Sequence, residues 1–233
     1  MFNKFDKFTA FIKRENTIFI ILQDFIDTAL DFIVVGGYAV SAYKHRFSID
    51  ADIVIKKEDK FKFEEVLVKR KLTKKAELGL NHIYASEFLS YTLDETLPVT
   101  IDVLVDGIGS RTTDASFSFQ QLDENSEYKK IIGIEKEVLV KIPKREILIV
   151  LKLHSGRLTD FRDIVALSKN VDMDLIKKSI WRGKKNIVRD NVEKLLSSIE
   201  ERGFVDSFKG VFMGKKYDVD LDEVRKLKEL LRV

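Results

Sequence analysis

The segment from Val34 to Ile55, VVGGYAVSAYKHRFSIDADIVI, constrains this 233-residue chain more than any other. Ile49 to Ile55 alternates as Ile-Asp-Ala-Asp-Ile-Val-Ile, the period of a strand. Asp50 and Asp52 then project from one face, and Ile49, Ala51 and Ile53 from the other, toward a core. Two carboxylates held that close repel each other unless a cation lies between them. Mg²⁺ is the natural candidate, since it takes oxygen ligands and shares them with substrate phosphates. Upstream, Phe32–Val35 is a short apolar run ended by Gly36-Gly37, the pattern of a buried strand and a tight turn. Missing side chains there let backbone N–H groups approach a phosphate, and a short helix over Tyr38–Tyr43 adds favourable partial charge.

A second alternating run, Val99–Val105 (VTIDVLV), carries Asp102 on the polar face of a strand. If that strand lies beside the first, three carboxylates converge, and such a set holds two ions about 3.5–4 Å apart for in-line displacement at phosphorus. Each element alone has a plainer reading. An Asp-x-Asp pair on an edge strand is more often just solvated, and Gly-Gly is more often just a turn. The combination shifts the balance: strand, Gly-Gly, short helix, Arg46-x-Ser48-x-Asp50-x-Asp52, then a lone strand aspartate.

Composition narrows the chemistry. Cysteine is absent, which excludes disulfides, zinc–thiolate sites and thiol nucleophiles. The three histidines, His45, His82 and His154, have no metal-ligand spacing and read as structural, although His154 lies near Lys152. With 45% hydrophobic and 34% charged residues the chain has material for a packed core, and a net charge of +3 is too small for a general nucleic-acid coat. The apolar stretch Ile18–Val35 is broken by Gln23, Asp24, Asp27 and Asp31, so no membrane span is expected. Nor is there a signal-peptide pattern, and a cytoplasmic protein is the expectation.

The remaining periodicities predict helices over 15–30 and 58–70, strands over 82–93 and 137–142, and helical blocks over 144–154, 160–169, 173–182, 186–202 and 219–232, with Pro143 opening the first of these. Residues 107–135 mix loop, strand and helix signals. The expected fold class is α/β (α+β): a small mixed-sheet domain over 1–143, followed by a helical domain over 144–233 that completes a nucleotide cleft. Acids outnumber bases in the first part, and bases outnumber acids in the second. The acid-free run holding Lys177, Lys178, Arg182, Lys184, Lys185, Arg189 and the single Trp181 reads either as a phosphate-backbone contact surface or as a solvated helix pair with a packed tryptophan.

GGYAV…HRFSIDADIVI resembles the nucleotidyltransferase superfamily typified by DNA polymerase β. Within it the match is to the abortive-infection and toxin–antitoxin branch, with its Gly-Gly and Arg-x-Thr/Ser-x-Asp-x-Asp. A second patch, Leu151-Lys152-Leu153 followed by Arg157-Leu-Thr-Asp160-Phe-Arg-Asp163-Ile, is similar to the branch's downstream lysine and Arg-x-Lys-Asp-x-x-Asp. Thr159 stands in place of that second lysine, removing one phosphate-facing charge, and Ser48 keeps the hydroxyl of the commoner threonine. The resemblance covers residues 32–56, 99–105 and 147–168.

What the resemblance implies is metal-dependent transfer of a nucleoside monophosphate from an NTP to an acceptor hydroxyl. Asp50 and Asp52 would bind two Mg²⁺ ions, and Asp102 would complete the site and help activate the hydroxyl. Gly36 and Gly37 would border the triphosphate, Arg46 and Ser48 would support the loop or touch phosphate, and Lys152 would neutralise triphosphate charge. Asp160 and Asp163 would order the helical wall, with a helix-start acid as the plainer reading of Asp160, and Arg157 would join the nucleotide site or simply pair with these acids. The implied acceptor is tRNA or another RNA, in a toxin-like role with a cognate antitoxin. A protein hydroxyl, a small molecule such as an aminoglycoside, or an inactive NTP- or RNA-binding protein are the alternatives.

Overall fold

The strand β1 (Phe32–Val35) lies at one edge of a five-stranded sheet that follows a long helix, α1 (Lys4–Asp27). This computed structural model describes residues 4–208, 211–212 and 219–232. Helix α1 begins well before residue 15, and its stripe of Ile18, Phe19, Ile21, Leu22 and Phe25 is buried in the core. A six-residue helix, α2 (Gly36–Ser41), follows β1 without a connecting loop and leads to β2 (Asp50–Ile55). Next come α3 (Lys60–Lys69), β3 (Thr73–Gly79), β4 (Glu87–Leu93) and β5 (Val99–Val105).

The sheet order is β1-β2-β5-β4-β3, and β2 with β5 is its parallel pair. The mixed α/β architecture read from the sequence is thus present. Strand β3 had no signal, since TKKAELG lacks apolar alternation and is almost wholly exposed. It exists by pairing with β4, and Lys74 and Lys75 on this edge disfavour further strand addition. The strand expected from residue 82 starts only at Glu87. Ile49, expected in the core, is 67% exposed, because the regular strand begins one residue later at Asp50.

The ambiguous stretch resolves into a small ribbon, β6 (Gly107–Gly109) with β7 (Ser116–Ser118), a short helix α4 (Phe119–Asp123), and β8 (Ser126–Ile132). Ser118 caps α4 in a capping box with Gln121. Strand β8 pairs with β9 (Glu137–Pro143), so Pro143 ends a strand, and α5 (Arg145–Ser155) follows with Lys144 at its N-cap position and no side-chain capping bond. Helices α6 (Leu158–Leu167), α7 (Met173–Ile180) and α8 (Lys185–Ser198) follow, then a 3₁₀ turn over Val205–Phe208. Last is the short α9 (Leu221–Arg225), prolonged as 3₁₀ helix to Arg232.

Gly156 closes α5 in a left-handed conformation at φ +67°, and the side chain of Asn191 in α8 fills the space beside it, donating to the Leu153 carbonyl at 2.8 Å. One apolar core runs from Ile18 to Leu230 and joins the sheet to the helices. No helix among the described residues is long and apolar enough to cross a membrane.

Ile53 is fully buried in β2 and Ile49 is not. Urea unfolding should therefore show Ile53→Ala losing about 2–4 kcal/mol, while Ile49→Ala changes stability by less than about 0.5 kcal/mol. Equal losses would contradict this register.

Candidate active site

The parallel pairing of β2 with β5 places Asp52 opposite Asp102 and Asp50 opposite Thr100. Partners across a ladder share a face, so all three acids point to the same side, each half-buried. Ala51, Ile53, Ile101 and Val103 fill the other side as core. On β4, Ser90 pairs with Asp102 and donates its hydroxyl to that carboxylate at 2.6 Å.

Gly36 has φ +65°, and a Cβ built there would sit 1.9 Å from Asp52 Oδ2. Only glycine meets both demands. A Cβ on Gly37 would lie 2.2 Å from Ser48 Oγ and 3.2 Å from Arg46 Nη2. The space that these glycines leave open is thus taken from within the protein, by Asp52 and by Ser48. Ser48 is buried and donates to the Asp50 carbonyl at 3.2 Å, so its hydroxyl supports the loop. Arg46 ion-pairs with Asp163 of α6.

On α5 and α6, Lys152 Nζ lies 2.7 Å from both Asp160 Oδ1 and Asp163 Oδ2, with its side chain 10% exposed and the two acids 1% exposed. Arg157 Nε donates to Asp160 Oδ2 at 2.8 Å from an exposed position. Asp160 thus does more than start a helix. Arg157 is the N-cap residue of α6, and the Asp160 carboxylate accepts from two cations. Arg162 turns away, donating to the Ser207 carbonyl at 2.9 Å.

These surroundings set the charges. Burial, then repulsion from Asp50 and Asp102, pushes the Asp52 carboxyl up to about 7, against the pull of Lys152 and Arg157. Burial and the charge of Asp50 also raise Asp102, against the Ser90 hydrogen bond. For Asp160 burial acts upward, yet Lys152 and the hydrogen bonds from Arg157 and Lys152 prevail and hold it below the usual carboxylate range.

Asp52 opens onto a cavity of about 340 Å³, within the range of small-ligand sites. Gly36, Lys152, Arg157 and Asp160 line it, together with Ile108, Ser110, Arg111, Thr112 and Phe117. Asp50, Asp102, Arg46, Ser48, Gly37 and Asp163 are not part of this lining. Among the described residues no three His, Cys, Asp or Glu groups converge closely enough to ligate one ion. The donor set still fits a hard divalent cation, which takes one or two carboxylates and completes its shell with water and substrate phosphate. Asp52 and Asp102, side by side and each with its proton affinity raised, are such a pair.

Residues 110–117 went unnoticed in the sequence, which offers no periodicity there to mark them. His154 is buried with Nδ1 2.8 Å from Thr113 Oγ1, and burial lowers it to about 4, so it is a neutral group in the cavity wall. The basic run is divided. Lys177 pairs with Glu229, Lys184 with Asp114, Arg182 stacks on Phe117 and Arg189 on the half-buried Trp181, while Lys178 and Lys185 are exposed.

No family model and no curated protein matches the chain. Among solved structures it is similar to an antigenic nucleotidyltransferase-like protein from Paracoccidioides brasiliensis, at 14% identity and TM-score 0.49 over 83% of this chain and 90% of that one. It is also similar to the lincosamide antibiotic adenylyltransferase LnuA, at 17% identity and TM-score 0.46 over 67% and 98% of the two chains. A third is the antibiotic-resistance factor ANT(2'')-Ia, at 11% identity and TM-score 0.47 over 82% and 96%. Likeness at this level carries no functional argument, which rests on the residues.

The raised Asp52 carboxyl has a consequence for stability. The folded state holds this proton up to about pH 7, whereas the unfolded chain releases it near 3.8. Asp52 therefore lowers stability progressively as pH rises between those values, with the loss complete above pH 7. Thermal melts without divalent metal should show Asp52→Asn more stable than wild type at pH 8, with the gap closing toward pH 4. A constant gap would contradict the charge environment described.

Proposed function

We propose that this protein is a metal-dependent nucleotidyltransferase that moves a nucleoside monophosphate from an NTP to an acceptor hydroxyl. The observation that carries this reading is the pair of facing acids, Asp52 and Asp102, of which Asp52 lines a cavity together with Arg111, Lys152 and Arg157. Carboxylates beside cations are what a polyphosphate ester and its counter-ion require. Asp50 and Asp52, with Asp102, would hold Mg²⁺, two ions in the full complement, which neutralises charge developing on the phosphate oxygens.

This chain's own residues do the rest. Gly36 lets the Asp52 carboxylate lie against the turn. Asp102, raised by burial, accepts the proton of the acceptor hydroxyl as that oxygen bonds to the α-phosphorus. The bond from phosphorus to the bridging oxygen breaks, and pyrophosphate leaves past the cationic wall. The mechanism is positioning and charge neutralisation, with no covalent enzyme intermediate.

For the acceptor, the proposal is the 3′ end of tRNA or another RNA, in a toxin-like role opposed by an antitoxin. The cavity wall supports this, because beside Asp52 and Asp160 it carries three cations, Arg111, Lys152 and Arg157, a balance that suits a phosphate-bearing partner better than a polycation. The exposed Lys178 and Lys185 offer phosphate contacts for such an acceptor.

The test incubates the protein with Mg²⁺ and each α-phosphate-labelled NTP, with and without total tRNA. Label on RNA that falls at least about 100-fold in Asp52→Asn is the expected result. Label on protein or on a small acceptor would replace the RNA assignment. No Asp52-dependent transfer with any acceptor would overturn the reading.

A further inference from the structure

The cations facing the cavity are not equivalent. Lys152 is the residue that sequence reasoning would choose to meet a triphosphate, but both Asp160 and Asp163 hold it at 2.7 Å. Its ammonium is held by two acids before any ligand arrives, and Arg46 and Arg157 share those acids. Arg157 is half committed, with Nε and Nη2 both on Asp160. Arg111 differs. It is exposed, it lines the same cavity as Asp52, and its guanidinium makes no hydrogen bond or ion pair among the described residues.

Its position is nevertheless held firmly. The residues on either side of Arg111 are tied to the end of α5: Ser110 Oγ donates to the His154 carbonyl at 2.8 Å, and Thr113 Oγ1 lies 2.8 Å from His154 Nδ1. Asp114 N donates to the Ser110 carbonyl at 2.9 Å and closes the loop on itself. Lys184 fastens it from outside, through its backbone N–H to the Thr113 carbonyl at 2.6 Å and its ammonium to Asp114 at 2.6 Å. A guanidinium with five donors and no acceptor on a pinned loop is preorganised for a bidentate anion.

Resting on the nucleotidyl-transfer reading, we propose that Arg111 is the principal phosphate-binding cation of the cavity, meeting the polyphosphate chain of the nucleotide from the loop that is tied to the end of α5. Lys152 then acts as a positioning residue that joins α5 to α6 through Asp160 and Asp163.

Tripolyphosphate with Mg²⁺ probes this without knowledge of the base. Calorimetry on the full chain should show Arg111→Ala binding it about tenfold more weakly than wild type, and Arg111→Lys falling between the two because it keeps the charge and loses the fork. Lys75→Ala, which removes one exposed charge from β3, should bind as wild type does. Arg111 is exposed, so thermal melts should superimpose for the variants. If wild type binds tripolyphosphate and Arg111→Ala binds equally well, the assignment of Arg111 is overturned and the nucleotidyl-transfer reading stands. If wild type shows no binding, both fall.

Discussion

The site depends on one close approach, the Asp52 carboxylate resting against the backbone of Gly36. No other residue type fits there, since the position combines φ +65° with a carboxylate oxygen 1.9 Å from where a Cβ would be. The approach ties the end of β1 to β2 and directs Asp52 toward the cavity. It also buries a charge between two others, which is why this carboxyl is raised to about 7. A protein built only for stability would place an amide or an apolar group there. Retaining an acid at this cost makes sense when a cation relieves it.

The second constraint is the chain of buried ion pairs from Arg46 through Asp163, Lys152 and Asp160 to Arg157. Every carboxylate in it has at least one cation within reach, the condition under which buried charge is tolerated. Removing the buried Lys152 strands Asp160 and Asp163, at a typical cost of about 3–5 kcal/mol. The chain links the loop before β2 with α5 and α6, so the acid face of the sheet and the cationic wall hold a fixed relation. The adjoining Phe47 and Arg46 also pair with Val211 and Phe212 near the end of the chain.

Much of this was legible in the sequence, for physical reasons. Strands β2 and β5 each bury one face, so their alternation showed them and placed Asp50, Asp52 and Asp102 on the other face. Gly36-Gly37 marked the turn, although its role is to admit Asp52 and Ser48. Strand β3 was invisible because almost nothing on it is buried, and the first turns of α1 for the same reason. Residues 107–135 form short elements ordered by tertiary anchors such as the Ser110 and Thr113 contacts with His154, which leave no period to read. The commitment of Lys152 to two acids, and the freedom of Arg111, arise from separate elements folding together. Local pattern does not carry that information.

The most direct test of the central claim, that the acid face binds a divalent cation together with nucleotide polyphosphate, is a Mn²⁺ titration followed by electron paramagnetic resonance. It would be run at pH 8 with and without tripolyphosphate, on wild type and on the Asp52→Asn/Asp102→Asn double variant. The account predicts that tripolyphosphate tightens Mn²⁺ binding to wild type and that the double variant shows no tightening. Equal Mn²⁺ binding by both proteins, with or without tripolyphosphate, would contradict it.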